Sequence, residues 1–329
     1  PADGGRQVLL ITNHVSEHYD AMYIGHMDTV FPDGTAEKRP FRIEGENYYG
    51  PGVGDMKNGD LAMFHIAANL PETEKKCLNI AMVYNPDEEI GSIYSKEITD
   101  RIGCQADHIF VMESAGKNGT RHCFARKGSL TYDIEFQGQA AHAGFMFEVE
   151  NASAVLEMGH YIVELMSLAD REKDTTVNVG IANGGTARNV VADHAKISVE
   201  MRFRDDSERI RLKEYVNKIT EGQPFVPGVK TTITMQKETP PFIKTEEAKK
   251  YIERVRKIAE EHGIPFEEKD RGGLSDANHL SRCGKAIVMD GMGPHGANDH
   301  SEKEYGYIGS VEPCVKLHLA ILNDMLNKQ

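Results

Sequence analysis

His26 and Asp28 close an apolar run, Tyr23-Ile24-Gly25-His26-Met27-Asp28, and both are metal-ligand residue types. Four more clusters carry the same chemistry: Asp55 in GVGDMKNG (52–59), the pair Glu88–Glu89 in PDEEIGS (86–92), Glu113 in Met-Glu-Ser, and Asp299-His300. A lone His-x-Asp pair is more often an exposed polar pair than a site. Five such clusters, most of them directly after apolar runs, point to a pair of divalent cations. Imidazole and carboxylate donors favour zinc, with cobalt and manganese as the alternatives. A two-metal site needs a bridging carboxylate and an attacking water. A nearby acid that is not a ligand can take that water's proton. The adjacent Glu88 and Glu89 offer one residue of each kind.

These side chains can act together only if the fold gathers them. Residues 21–26, 78–84, 108–113 and 285–290 read as buried strands, because their apolar runs are nearly continuous. Helices are expected over 59–70, 92–101, 245–262, 274–282 and 307–327, with a short strand at 265–269. Ligands in open α/β sheets collect beyond the carboxyl ends of the strands. His26, Asp28, Glu88, Glu89 and Glu113 all follow strands, so they should share one edge of the sheet. Asp55 falls on a glycine-rich turn before a helix. His300 returns from a late loop, among Asp299, Glu302 and Glu304, which is also the setting of an ordinary exposed loop.

From about residue 127 the pattern changes to alternation. Strands are expected at 130–136, 175–181, 194–204 and 229–236, and helices at 151–168 and 207–221. That β-α-β-β-α-β order is a ferredoxin-like unit. The reading is therefore an α/β catalytic domain, 1–126 and 236–329, with a central mixed sheet flanked by helices. An inserted α+β lid and dimerisation domain occupies 127–235.

The chain has 329 residues, 40% of them hydrophobic, and a formal charge of −13. The negative charge argues against nucleic acid, and no apolar run is long enough to span a membrane. Five widely spaced cysteines form neither a disulfide framework nor a zinc motif. They read as reduced thiols of a cytoplasmic protein, with a removed N-terminal signal as the alternative.

Seven segments together resemble the M20 family of metallopeptidases and amidohydrolases. They are GHMDTVFP, GVGDMKNG, PDEEIGS, RKGSLTYDIEFQGQAAHAG, GGTARNVV, GGLSDAN and DHSEKEY. The likeness is strongest to the glutamate carboxypeptidase (carboxypeptidase G type) branch. It implies a zinc-exopeptidase-like catalytic domain holding two zinc ions. His26 and Glu113 would hold one ion, Glu89 and His300 the other, and Asp55 would bridge them. Glu88 would be the general acid/base on a metal-bridged hydroxide, with Asp28 orienting His26. The resemblance also implies a cis peptide at Asp55–Met56. His142 would reach the active site of a partner subunit in a homodimer. Asn189 and Arg202 would hold a substrate carboxylate, and Gly273 would present its backbone N–H.

The implied activity is cleavage of the amide bond of a C-terminal or N-acylated amino acid. The alternatives are an aminoacylase or other deacylase, a dipeptidase or tripeptidase, and a non-catalytic metal-binding scaffold. Arg188, Arg204 and Arg271 are rival carboxylate binders, and Asp276 reads equally as a helix cap or a support for the site. Lid closure is expected about hinges near 127 and 236. Only 25 residues precede His26, fewer than the resembling proteins carry there, so an upstream segment is expected to be missing.

Overall fold

Apolar runs that alternate with helices build a five-stranded sheet, and the computed structural model describes it within residues 6–327. The strand order is Leu9–Thr12, Ile80–Asn85, Tyr19–His26, Ala106–Val111 and Ile287–Met289. The edge strand Leu9–Thr12 is antiparallel and the other four are parallel. The central strand is apolar on both faces because both faces are covered. Ala21 and Tyr23 pack with Met63, Ile66, Phe110 and Leu317. Met22 and Ile24 pack on the opposite side with Val83, Ile109 and Leu280.

Register decides which residues leave the sheet together. His26 stands opposite Asn85, and Ile24 opposite Val111. The segments bearing His26, Glu88–Glu89 and Glu113 therefore emerge side by side at the carboxyl edge. The helix Asn58–Asn69 lies against the end of the third segment. A Cβ on Gly59 would come within 2.0 Å of the Met112 carbonyl oxygen, so glycine permits that approach.

A second five-stranded sheet was not legible from periodicity. Its order is Arg42–Glu44, Asn47–Tyr49, Tyr305–Tyr307, Gly293–Ala297 and Ser114–Ala115. Strands of two to five residues are too short to show alternation, yet this sheet holds the loop that carries His300. The expected helix at 274–282 shortens to Ala277–Leu280, and the strand at 265–269 to Glu267–Glu268.

The chain divides into two units, Pro1–Arg126 with Phe242–Gln329, and Lys127–Pro241. Residues 1–5 and 328–329 lie outside the described residues. The expected exit at 235/236 falls inside a strand, since Lys230–Thr239 stays paired with Gly128–Gln137 as far as Thr239 opposite Ser129. The division comes after that strand ends. Just outside it, Arg126 and Phe242 exchange both backbone hydrogen bonds, at 3.0 and 3.1 Å.

The inserted unit is an antiparallel sheet ordered Thr176–Gly184, His194–Phe203, Gly128–Gln137 and Lys230–Thr239. Leu130, Tyr132, Ile134 and Phe136 point to one face, where they meet Tyr161, Leu165, Leu212 and Val216 of the helices Ala154–Met166 and Asp206–Glu221. Ser153 caps the first helix, accepting the Leu156 N–H at 3.2 Å, and Asp205 caps the second through Glu208 N–H at 2.9 Å.

Candidate functional site

His26 ends its strand buried, and its two ring nitrogens have different partners. Nδ1 lies 3.2 Å from the backbone carbonyl of Asp28 and 3.4 Å from its carboxylate. Nε2 faces Asp55 Oδ1 at 3.0 Å and Glu113 Oε1 at 3.7 Å. The other Asp55 oxygen lies 3.1 Å from Nε2 of His300, which is also 3.2 Å from Glu89. Two three-donor groups result, His26–Asp55–Glu113 and Asp55–Glu89–His300, and Asp55 belongs to both. The peptide bond Asp55–Met56 is cis.

His300 has a φ of 61°, a left-handed conformation rare for a residue with a Cβ. Its side chain is 54% exposed, against 2% for His26, so the second group opens to solvent and the first does not. The Asp28 carboxylate accepts the backbone N–H groups of Glu88 and Glu89, at 3.1 and 3.0 Å. Asp28 therefore anchors the Glu88–Glu89 turn as well as His26.

Glu304 is the site residue that the sequence reading missed. It is buried, and its Oε1 accepts the N–H groups of Gly54 and Asp55, at 2.8 and 3.0 Å. Its Oε2 accepts that of Gly52 at 2.9 Å. The carboxylate thus folds the loop that presents Asp55. The only sequence signal was its place in DHSEKEY, four residues after His300. Ser114 adds a bond from its hydroxyl to the Gly54 carbonyl.

Crowding of carboxylates shapes the electrostatics. Burial pulls the His26 imidazole down, but Asp28 and Asp55 outweigh it and hold its pKa well above the ordinary value. Burial opposes ionisation of Asp55, yet His26 and His300 keep its pKa below the ordinary value. Burial and the charge of Asp55 raise both Glu113 and Glu89. Burial, and next Asp276, push Glu88 up to about 8. Acids that repel one another around two imidazoles form a cluster that cations would neutralise. The mixed nitrogen and oxygen donors, three to a group with one shared carboxylate, suit a dinuclear divalent-metal centre. Glu88 is in neither group and remains available for proton transfer.

The remaining candidates divide between places. Gly273 is exposed and its carbonyl accepts from Arg126 at 3.3 Å. Asp276 makes no side-chain cap to its helix and is buried. In the inserted unit, His142 and Asn189 come together, because Ala141–His142 pairs with Val190–Val191 and Ala143 N–H donates to the Asn189 carbonyl at 2.9 Å. His142 Nδ1 accepts the Gly144 N–H at 3.1 Å, which leaves Nε2–H as the free donor of the neutral ring. Arg202 does not join them. It stands at the other end of its strand, eight steps of ~3.3 Å from His194, about 26 Å. Its guanidinium donates to Glu200. Of the rival arginines, Arg271 donates to the Ser114 carbonyl and Arg204 pairs with Asp174, each at 2.8 Å.

Comparison with known proteins agrees with this picture. The family model "Peptidase family M20/M25/M40" matches residues 22–324. Carboxypeptidase G2 of Pseudomonas sp. (strain RS-16) is 26% identical over 308 residues, covering 92% of this chain and 73% of that protein. A succinyl-diaminopimelate desuccinylase of Halorhodospira halophila is 24% identical, covering 92% and 82%. Among solved structures, aminopeptidase PepT of Bacillus cereus superposes with a TM-score of 0.75 at 22% identity, covering 98% of this chain and 85% of that one. A Bacillus subtilis protein described as a dinuclear metal-binding M20 peptidase gives 0.70 at 12% identity, covering 98% and 86%. With its match running through both parts of the catalytic unit and the insertion between them, the chain belongs to the M20/M25/M40 peptidase family and is a metallohydrolase.

Proposed function

We propose that this protein hydrolyses the amide bond of a C-terminal or N-acylated amino acid at a centre of two zinc ions, as a glutamate carboxypeptidase-like exopeptidase. The observation that carries the reading is Asp55, whose two oxygens face different histidines, while Glu88 feels the charges of His26, Asp55 and Glu89 without entering either donor group. His26, Asp55 and Glu113 would hold one ion, and Asp55, Glu89 and His300 the other. When bound, the ions supply Lewis acidity for the carbonyl and make a water acidic at neutral pH.

Glu88 takes the proton of the attacking water and returns it to the leaving amine. Its burial favours the protonated form that the second step needs. His142, whose Nδ1 is taken by the Gly144 N–H, donates its Nε2–H to the developing oxyanion. Asn189 and Arg202 recognise the free carboxylate of the substrate, Arg202 through its planar fork. Gly273 offers backbone N–H to the substrate.

The separation of Arg202 from the His142–Asn189 pair supports a homodimer in which that pair serves the partner's substrate. The exposed apolar side chains Leu156, Val163 and Met166 of one helix, with Ile181 on the edge strand Thr176–Gly184, supply a face for the contact. Five free cysteines fit a reducing, cytoplasmic compartment. Among the described residues no helix is long and apolar enough to cross a membrane.

Parallel kinetics on N-acyl-glutamates, dipeptides, tripeptides and N-succinyl amines, with zinc supplied, test the proposal. Preference for an N-acyl-glutamate or a C-terminal glutamate supports it. Preference for another member of the panel turns the reading to a deacylase, dipeptidase or tripeptidase. Absence of turnover on all of them overturns the enzymatic reading and leaves a metal-binding scaffold.

A further inference from the structure

We propose that Asp276, clamped by His279 and Asp100, is a positioning residue that holds the turn carrying Glu88 and Glu89. The inference rests on the reading of Glu88 as acid/base, and it adds residues that lie in neither donor group.

Asp276 is buried and belongs to a segment remote from the turn in sequence. Its Oδ2 accepts from Asn85 Nδ2 at 2.8 Å, and its Oδ1 accepts from Ser92 Oγ at 2.6 Å. Asn85 and Ser92 bracket the turn. Asn85 also donates to Ser92 Oγ at 3.0 Å, which closes a ring of three side chains. The Asn85 side-chain oxygen Oδ1 accepts from Asp87 N–H at 3.1 Å and from Ser95 Oγ at 2.7 Å. Ser92 N–H donates to the Asp87 carbonyl at 2.7 Å. Asp28 grips the same turn through the Glu88 and Glu89 N–H groups. Two buried or half-buried carboxylates, Asp28 and Asp276, therefore fix the turn at different points.

A buried carboxylate needs a compensating charge. His279 supplies it, with Nε2 2.9 Å from Asp276 Oδ1 and Nδ1 2.5 Å from Asp100 Oδ1. Ionised carboxylates only accept, so both ring nitrogens must carry protons and the ring is imidazolium. Burial opposes that charge, but Asp100 and Asp276 outweigh it and raise His279 to about 9. Lys96 shares Asp100 at the outer end, and Cys283 Sγ lies 3.4 Å from the Asp100 carbonyl. The chain of contacts runs from Lys96 at the surface through Asp100, His279 and Asp276 to Ser92 and Asn85. A clamp of this kind limits the wander of Glu88 relative to the attacking water, where a displacement of about 1 Å costs up to ~10²-fold in rate.

The test uses the full-length, zinc-loaded chain with His279→Gln and, separately, Ser92→Ala. Glutamine has one donor group and no charge, so it serves only one of the two acids. Ser92→Ala cuts a single link and leaves the charges in place, so it reports even if the first variant does not fold. Kinetics with N-acyl-glutamate, metal content, and amide hydrogen exchange over residues 86–94 are read together. For both variants the expected result is unchanged metal content, KM within about twofold and kcat lowered, by ~10-fold or more for His279→Gln. Exchange over 86–94 should quicken by about tenfold with distant amides unchanged. Full kcat in folded variants overturns the proposal, as does a loss of kcat that merely follows a loss of metal. If the wild-type chain turns over no substrate, the activity reading fails on its own. Exchange then decides the clamp: quickening confined to 86–94 supports it, and no change overturns it.

Discussion

Glu304 accepts the backbone N–H of Asp55 at 3.0 Å, so the carboxylate shared by the two donor groups hangs from another buried carboxylate 249 residues away. Replacing Glu304 by glutamine keeps the shape but turns an NH2 group toward backbone donors. Glu304→Gln is expected to weaken zinc affinity by roughly 10–100-fold, as loss of a ligand's support typically does. It should also lower stability by about 1–3 kcal/mol through unsatisfied N–H groups. Zinc titration against a competing chelator and urea unfolding of the metal-free chain measure the two effects.

Glu88→Gln tests the base directly. The variant should bind metal with wild-type stoichiometry, because Glu88 is in neither donor group. Its kcat should fall by about 10²–10⁴-fold. Metal analysis alongside steady-state kinetics checks both halves, and full activity would remove Glu88 from the mechanism.

The two donor groups differ in access, and their metals should differ in exchange. His300 is 54% exposed and His26 only 2%. His300→Ala should leave a single ion per chain, held by His26, Asp55 and Glu113. In the unaltered protein, chelator should withdraw the His300-side ion first. Biphasic release with an indicator dye, reduced to a single phase in His300→Ala, is the expected record.

The imidazolium of His279 makes stability depend on pH. Its pKa rises to about 9 in the fold from an ordinary value near 6.5. The folded state therefore binds the proton more tightly, and the contribution is fully present below about 6.5 and fades as pH rises through 9. It amounts to at most about 3 kcal/mol. Asp100 and Asp276 are depressed, although burial opposes it, by their bonds to His279. Their contribution is lost at the other extreme, as pH falls through the acid range. Urea midpoints of the metal-free chain should decline between pH 6.5 and 9, and His279→Gln should flatten that decline.

Val163 is 70% exposed on the helix that carries Leu156 and Met166. Under the homodimer reading, Val163→Asp would bury a charge in an apolar contact. Light scattering should then report a monomer, while the circular dichroism of the chain stays unchanged. A wild-type chain that is already monomeric and fully active would remove the partner's role for His142.

What could be read from the sequence was whatever lay close along the chain. His26, Asp55, Glu88–Glu89 and Glu113 announce themselves because strand ends are predictable and each cluster is local. The inserted unit was legible for the same reason, since Leu130–Phe136 and His194–Phe203 alternate cleanly. Glu304 and His279 were not legible, and Asp276 only as one of two readings. Glu304 meets Asp55 across 249 residues, Asp276 meets Ser92 across 184, and His279 meets Asp100 across 179. No period or motif encodes such a pairing. Glu304 looked like one of several acids in a polar loop, and only its burial distinguishes it from Glu302 beside His300. The boundary near 236 failed for a further reason: Lys237, Glu238 and Thr239 are polar, yet backbone pairing with Ser129–Thr131 carries the strand on through them.

Lys127–Pro241 is continuous, whereas its host is split around it. A ribosome therefore releases every residue of the insertion before the strand Ile287–Met289 and the loop of His300 exist outside the exit tunnel. The guest can complete its own core while the host still lacks a strand and a ligand. Newly made chains thus pass through an interval in which, of the two donor groups, only His26–Asp55–Glu113 has all its members.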